Sequence, residues 1–201
     1  RMAASWLAPA SPTASTPLCD VLQQGWRFVN FLFGAAPAAT ASVRLYRDGG
    51  AGSSERDASH ASFYNMRFDG SPLGIQASGG PAFITVSGCL FARATTTAIA
   101  NTVGAGIGTN LNWNIVNNRF FSNVNHIVVP TSGATISGNT FQAHTTMAID
   151  LDGGVATNAV WGNQLSGTYS IVGGYRGAGA GDEWGGNFNS IAGGVTAADP
   201  A

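Results

Sequence analysis

A short motif recurs along this chain at intervals of about 24 residues, and the repeat limits the folds that the sequence can adopt. Each copy has an apolar residue, any residue, Gly or Asn, two further residues and a large apolar anchor. The copies are Phe28–Phe33, Phe63–Phe68, Val86–Phe91, Ile115–Phe120, Ile136–Phe141 and Val160–Leu165. Successive anchors are separated by 35, 23, 29, 21 and 24 residues. One such unit cannot bury its own apolar side, so we expect the units to stack.

A second series supports the repeat, because an isoleucine follows each later anchor by six to eight residues. Its members are Ile75, Ile99, Ile127, Ile149 and Ile171. Each lies in a short β-prone run, and the 3.6-residue period of amphipathic helices is not found. We therefore predict at least two short strands per unit, joined by sharp turns and stacked strand on strand.

The Gly or Asn position of the motif is explained by the backbone conformation of a tight corner. A tight corner between strands needs a residue with positive φ, which Gly and Asn tolerate best. Asn118, Asn139 and Asn163 follow this step at one repeat position. Their regular register favours a ladder in which the amides hydrogen-bond along the stack; independent turn asparagines are the alternative.

The composition excludes several classes of protein. Only 9% of the residues are charged, lysine is not present and the net charge is -1, which excludes a basic nucleic-acid binder. The low net charge and the apolar share of 44% argue against disorder. No apolar run reaches the roughly 18 to 20 residues that span a membrane. We expect neither a nucleic-acid partner nor membrane insertion.

The two cysteines, Cys19 and Cys89, are separated by 70 residues and form no CxxC motif. A zinc site is therefore not expected, and nothing in the sequence indicates another metal or a cofactor. Free or buried thiols are the simpler interpretation, and a disulfide stays open.

The chain divides into three parts. Residues 1–25 are predicted to form an extended N-terminal arm or linker, because Pro, Ala, Ser and Thr dominate residues 8–17, and we do not expect a signal peptide there. Residues 26–191 hold the repeats, and residues 192–201 are a tail.

The segments NIVNNRF, ATISGNTF and AVWGNQL resemble coils of the right-handed parallel β-helix in the pectate-lyase-like superfamily. The resemblance covers about residues 26–191 and implies an all-β, single-stranded solenoid of about six coils. It also implies an elongated protein that binds or acts on polysaccharide. The low-charge surface rich in Asn, Thr and Gly is most similar to a phage tailspike or a related virion β-helix. That likeness implies a homotrimer that contacts other virion proteins at the particle surface or tail; a secreted protein is the alternative.

This chain differs from the enzymes of the superfamily in its candidate catalytic residues. They carry either clustered Asp ligands with a catalytic Arg or Lys, or paired Asp motifs with His and Arg-x-Lys. This chain has no such Asp cluster and no lysine. Neither catalytic set can be transferred, so an activity as glycoside hydrolase or polysaccharide lyase stays open.

Asp150 and Asp152 are the best candidate catalytic pair. If Ile149 and Leu151 point inward, both carboxylates point outward from one strand, roughly 6.5 to 7 Å apart. That separation suits the general acid and base of inverting glycosidases, which lie roughly 6.5 to 9.5 Å apart. A solvated face, or a turn that begins at Asp152, is the alternative.

Other residues are candidates for glycan binding or subunit contact. Asp182 and Glu183 adjoin Trp184, whose ring could stack on a sugar; a capping or inter-subunit loop is the alternative. Tyr64 and Trp161 share an outward repeat position and could stack on glycan rings or bury against a neighbouring subunit.

Histidines indicate little chemistry in this sequence. His60, His126 and His144 are expected at the surface or in turns, with His126 pointing outward.

These observations favour a virion spike or fibre protein that binds host cell-surface polysaccharide, with cleavage left open. One alternative is a polysaccharide lyase or hydrolase that acts independently of a virion. Another is a purely structural capsid decoration or connecting segment.

Overall fold

The computed structural model describes residues 16–34, 37–47, 56–102, 112–143, 145–152, 157–166, 175–176, 181–189 and 196–197. Within these ranges the chain forms strands in three sheets. Sheet A contains β1 (Cys19–Val21), β4 (Val43–Tyr46), β7 (Leu73–Ser78), β10 (Thr97–Thr102), β13 (Asn125–Val128), β16 (Met147–Asp150) and β19 (Tyr175–Arg176). Sheet B contains β2 (Arg27–Val29), β5 (Ser62–Tyr64), β8 (Thr85–Ser87), β11 (Asn114–Val116), β14 (Thr135–Ser137), β17 (Ala159–Trp161) and β20 (Glu183–Gly185). Sheet C contains β3 (Leu32–Phe33), β6 (Arg67–Asp69), β9 (Leu90–Ala92), β12 (Arg119–Phe121), β15 (Thr140–Gln142), β18 (Gln164–Ser166), β21 (Phe188–Asn189) and β22 (Thr196–Ala197).

The strand order defines a parallel β-helix. From β1 to β18, each strand pairs with the strand three places later in the chain, so every turn of the chain adds one strand to each sheet. All pairs are parallel except the last, in which β22 runs antiparallel to β21. The expected all-β solenoid is confirmed, with three strands per coil and seven coils in the described part of the chain, one more than predicted. The first coil begins at Cys19, inside the segment expected to be an arm.

The core is filled by columns of identical or similar side chains, because the parallel register places equivalent residues above one another. In sheet C the anchors Phe33, Phe68, Phe91, Phe120 and Phe141 are buried. Their ring centroids lie 4.7 to 5.5 Å apart along the column. In sheet A the isoleucines from Ile75 to Ile149 form a second buried column.

The isoleucine series ends differently from the prediction. Tyr175, and not Ile171, is the register partner of Ile149. Ile171 lies outside the described residues. Tyr175 follows the anchor Leu165 by ten residues, outside the range of six to eight on which the series was predicted.

The corner between sheets B and C has the backbone that the motif predicted. Its residues all have positive φ: Asn30, Asn65, Gly88, Asn117, Gly138, Gly162 and Gly186. A Cβ at position 138 would contact Oδ1 of Asn117 in the coil before, so the Asn117 side chain would have to shift.

The asparagines after this corner form one hydrogen-bonded column through the core. Asn118 Nδ2 donates to Asn139 Oδ1 at 3.0 Å, and Asn139 Nδ2 donates to Asn163 Oδ1 at 3.0 Å. The column continues to Asn187, whose Oδ1 accepts from Asn163 Nδ2 at 2.9 Å. Each acceptor also takes the backbone N–H of the preceding asparagine. The column therefore ties four successive coils in one register.

Candidate functional site

A groove of about 370 Å³ lies on the outer face of sheet C and concentrates a third of the arginines of the chain. It is lined by Arg67, Asp69, Leu90, Ala92, Arg93, Arg119 and Phe121. These residues come from β6, β9 and β12 and from the corner that follows β9. The groove therefore exists only because the coils stack.

Strand alternation explains why these side chains point outward. Phe68, Phe91 and Phe120 are buried at the centre of their strands, so the residue on either side of each faces away from the core. The register places Arg67, Leu90 and Arg119 in one outer column. Asp69, Ala92 and Phe121 form the second.

Asp69 holds two of the three arginines in place. Its Oδ2 accepts from Arg67 Nη2 at 2.9 Å, and its Oδ1 accepts from Arg93 Nε at 2.7 Å. Burial alone would raise the pKa of this carboxyl, which is 8% exposed, but the hydrogen bonds and charges of Arg93 and Arg67 outweigh burial and lower the pKa. Asp69 is therefore ionised at neutral pH, and the two guanidinium groups have a fixed partner.

Arg119 differs from the other two arginines. Among the described residues it forms no ion pair or side-chain hydrogen bond. The adjacent Phe121 is 40% exposed. With three arginines and one carboxylate, the groove carries a net charge of about +2 beside an open aromatic face. This arrangement suits an anionic ligand with an apolar surface.

The predicted catalytic pair does not share a strand. β16 ends at Asp150, and Asp152 lies in the turn that follows. Asp150 is 8% exposed, and its Oδ1 accepts the Asp152 N–H at 3.1 Å. The expectation of two outward carboxylates on one strand is therefore wrong, because the Asp150 side chain satisfies the turn backbone. A catalytic role for either residue stays a prediction.

Tyr64 and Trp161 lie in one outer column of sheet B, on a different face from the groove. Ser87, Val116 and Ser137 separate them, so they are four strands and roughly 19 Å apart. Trp161 is 45% exposed, and its ring lies over Gly185 of the next coil.

Asp182, in the second acidic candidate site, makes hydrogen bonds that join its coil to the preceding one. Asp182 Oδ1 accepts the backbone N–H of Asn158 at 3.0 Å and its Nδ2 at 2.8 Å. Trp184 is in register with the buried Val160, and its ring centroid lies 5.5 Å from that of Tyr175. Trp184 is half-buried and packs against the core, and its contact with a sugar stays a prediction. Glu183 is exposed.

His126 corrects an expectation, because it is fully buried and does not point outward. Its ring lies 5.5 Å from Phe120 and 5.5 Å from Phe141, centroid to centroid. Its Nδ1 lies 3.0 Å from Asn123 Nδ2. Alternation failed as a guide here because β13 buries two consecutive residues, His126 and Ile127.

His60 is not among the residues that line the groove. His60 is exposed and stacks on Phe83 at 4.8 Å. His144 lies outside the described residues.

The two cysteines lie in the core and are not among the residues that line the groove. Cys19 and Cys89 are free and buried, and burial raises the pKa of each thiol to about 11. In the part of the chain that the structure describes, no group of three or more His, Cys, Asp or Glu side chains is placed to hold a metal ion. No helix within the same ranges has the length and apolarity to cross a membrane.

Sequence reasoning missed the groove, although one signal was present. Arg67 and Arg119 both precede an anchor phenylalanine, so they occupy the same repeat position two units apart. Comparisons with protein-family models, curated proteins and solved structures gave no match to this chain. The function is therefore argued from its own residues.

Proposed function

We propose that this parallel β-helix binds an acidic polysaccharide on the outer face of sheet C. The observation that carries the proposal is Arg119, a guanidinium without a protein partner among the described residues, beside two arginines that Asp69 fixes. Guanidinium groups bind carboxylate and sulfate through paired hydrogen bonds. Phe121 supplies an apolar surface on which the C–H face of a sugar ring can lie.

The shape of the face favours a polymer over a small molecule. The outer column that holds Arg67 and Arg119 continues through Thr140 and Gln164, whose side chains can hydrogen-bond hydroxyl groups. An extended ligand can therefore follow the column past the groove. The resemblance of the coils supports placing this binding in a virion spike or fibre, as one subunit of a homotrimer.

The test compares two arginine variants that remove the same charge. Arg119→Ala should weaken binding to an acidic polysaccharide by about tenfold or more, measured by calorimetry at fixed salt. Arg44→Ala is the control, because Arg44 lies on sheet A and pairs with Asp20. Its loss should stay below about twofold. Equal losses for the two variants, or no binding of any acidic polysaccharide, would overturn the proposal.

A further inference from the structure

The two outward arginines of sheet C are spaced along the axis of the β-helix. Leu90 lies between Arg67 and Arg119 in the column, so the arginines are two strand spacings apart, roughly 9.6 Å. The intervening strand offers Leu90 and Ala92 to the groove. Arg93 follows Ala92 in the same coil, but its guanidinium is bound by Asp69 of the coil before, so the column itself has no positive charge at Leu90.

The salt bridges reduce three arginines to two centres of positive charge. Asp69 lies between Arg67 and Arg93 and binds both, so these three side chains together carry a net charge of about +1. Arg119 is the second centre of about +1, since no described carboxylate pairs with it. The groove thus presents single positive charges with an apolar gap between them.

From this spacing we infer that the bound polysaccharide lies along the β-helix axis and carries one anionic group per disaccharide. This inference rests on the proposed function and specifies its ligand. One sugar residue of an extended glycan advances by about one strand spacing, so acidic groups on alternate sugars match two spacings. A polymer with an acid on every sugar would place an unpaired charge over Leu90.

The axial direction follows from the same side chains. Within β6 and β12 the next outward residue after the arginine is Asp69 or Phe121, so neither strand carries a second arginine. They repeat only from coil to coil. Beyond Arg119 the column continues with the neutral residues Thr140 and Gln164, which can hydrogen-bond hydroxyl groups of the polysaccharide.

The experiment compares fragments of equal sugar number by calorimetry at fixed salt. Hyaluronan fragments carry one carboxylate per disaccharide, polygalacturonate fragments carry one on every sugar, and dextran fragments are neutral. The alternating polymer should bind about fivefold or more tightly than the fully charged one, although charge density alone predicts the reverse order. Equal or tighter binding of polygalacturonate would refute the inference. If neither acidic polymer binds, the proposed function itself fails.

A pair of variants separates charge spacing from sugar identity. Leu90→Arg fills the gap in the column and should shift the preference toward polygalacturonate by about tenfold. Leu90→Gln adds a polar side chain without charge and should leave the preference as it is. The inference is wrong if the arginine variant keeps the original preference. Circular dichroism checks that both variants keep the fold, as expected for an outward position.

Discussion

Asn139 shows how much of the register one side chain can hold. Its Oδ1 accepts from the backbone N–H and from Nδ2 of Asn118. Its own Nδ2 donates to Asn163 Oδ1 and to the Ile115 carbonyl. All of these groups are buried, so none can turn to water instead. A buried polar group that loses its partner costs more than a hydrogen bond contributes on average.

Asn139→Ala should lower the free energy of unfolding by about 3 kcal/mol or more, because it leaves several buried groups unsatisfied. Urea titration followed by circular dichroism measures the change. Asn117→Gly is the control, since Asn117 lies at an exposed corner with a φ of 56° that glycine adopts freely. Its effect should stay within about 0.5 kcal/mol. Similar losses for the two variants would show that the column contributes little.

At the scale of the strand, the central residue and its neighbour have opposite roles. In β12 the Phe120 ring stacks on Phe91 and Phe141 at 5.0 Å each, whereas Phe121 is 40% exposed. Two adjacent residues of the same type thus lie on opposite sides of the strand, one in the core and one on the surface proposed to bind glycan.

Phe120→Ala should therefore destabilise the protein by about 3 to 5 kcal/mol, because it opens a cavity in the aromatic column. Phe121→Ala should cost less than about 1 kcal/mol while weakening glycan binding. Thermal unfolding measures the first difference, and calorimetry measures the second. A stability loss at Phe121 equal to that at Phe120 would contradict this division.

The repeated anchors allowed the sheets to be predicted, because each anchor marks the centre of one strand of sheet C. The corners followed from Gly and Asn, whose backbone preference is local. The copy Phe28–Phe33 indicated β2 and β3 of the first coil, whereas β1 was assigned to the arm because Pro, Ala, Ser and Thr dominate the residues just before it. Burial of His126 depends on its fit between Phe120 and Phe141, which no pattern of alternation contains.

The candidate site was harder to predict than the fold. Arg67 and Arg119 share a repeat position, but Arg93 reaches Asp69 from a corner residue with a φ of 57°. A single sequence gives no sign that a phenylalanine-flanking aspartate will bind two arginines from successive coils. Conversely, Asp150 and Asp152 looked like a pair only while the strand was assumed to continue through both.

For the whole molecule, the faces of the β-helix differ in charge. Sheet C carries the arginine groove, whereas the outer residues of β8, β11, β14 and β17 in sheet B are uncharged. Trp161 is the largest of these side chains and is 45% exposed. A homotrimer, which stays a prediction, would place this uncharged face between subunits and leave the groove open.

Sedimentation velocity should give three times the mass of the chain for the unaltered protein. Trp161→Glu should give a single-chain mass, because a charge would be buried at the subunit contact without a partner. Phe121→Glu places the same charge on sheet C and should stay trimeric. A single-chain mass for the unaltered protein, or dissociation by both variants, would contradict this arrangement.

The asparagine columns give the stack a direction. Asn118, Asn139 and Asn163 each donate the backbone N–H and one Nδ2 hydrogen to an asparagine oxygen in the next coil toward the C-terminus. A column can begin at any residue, as it does at the Cys89 backbone N–H, which donates to Asn118. The last asparagine of a column needs an acceptor for its N–H groups. For Asn158 this acceptor is Oδ1 of Asp182. The two ends of such a column are therefore chemically unequal: its start needs only a backbone N–H, whereas a coil added after Asp182 would meet a carboxylate with no side-chain N–H to continue the column.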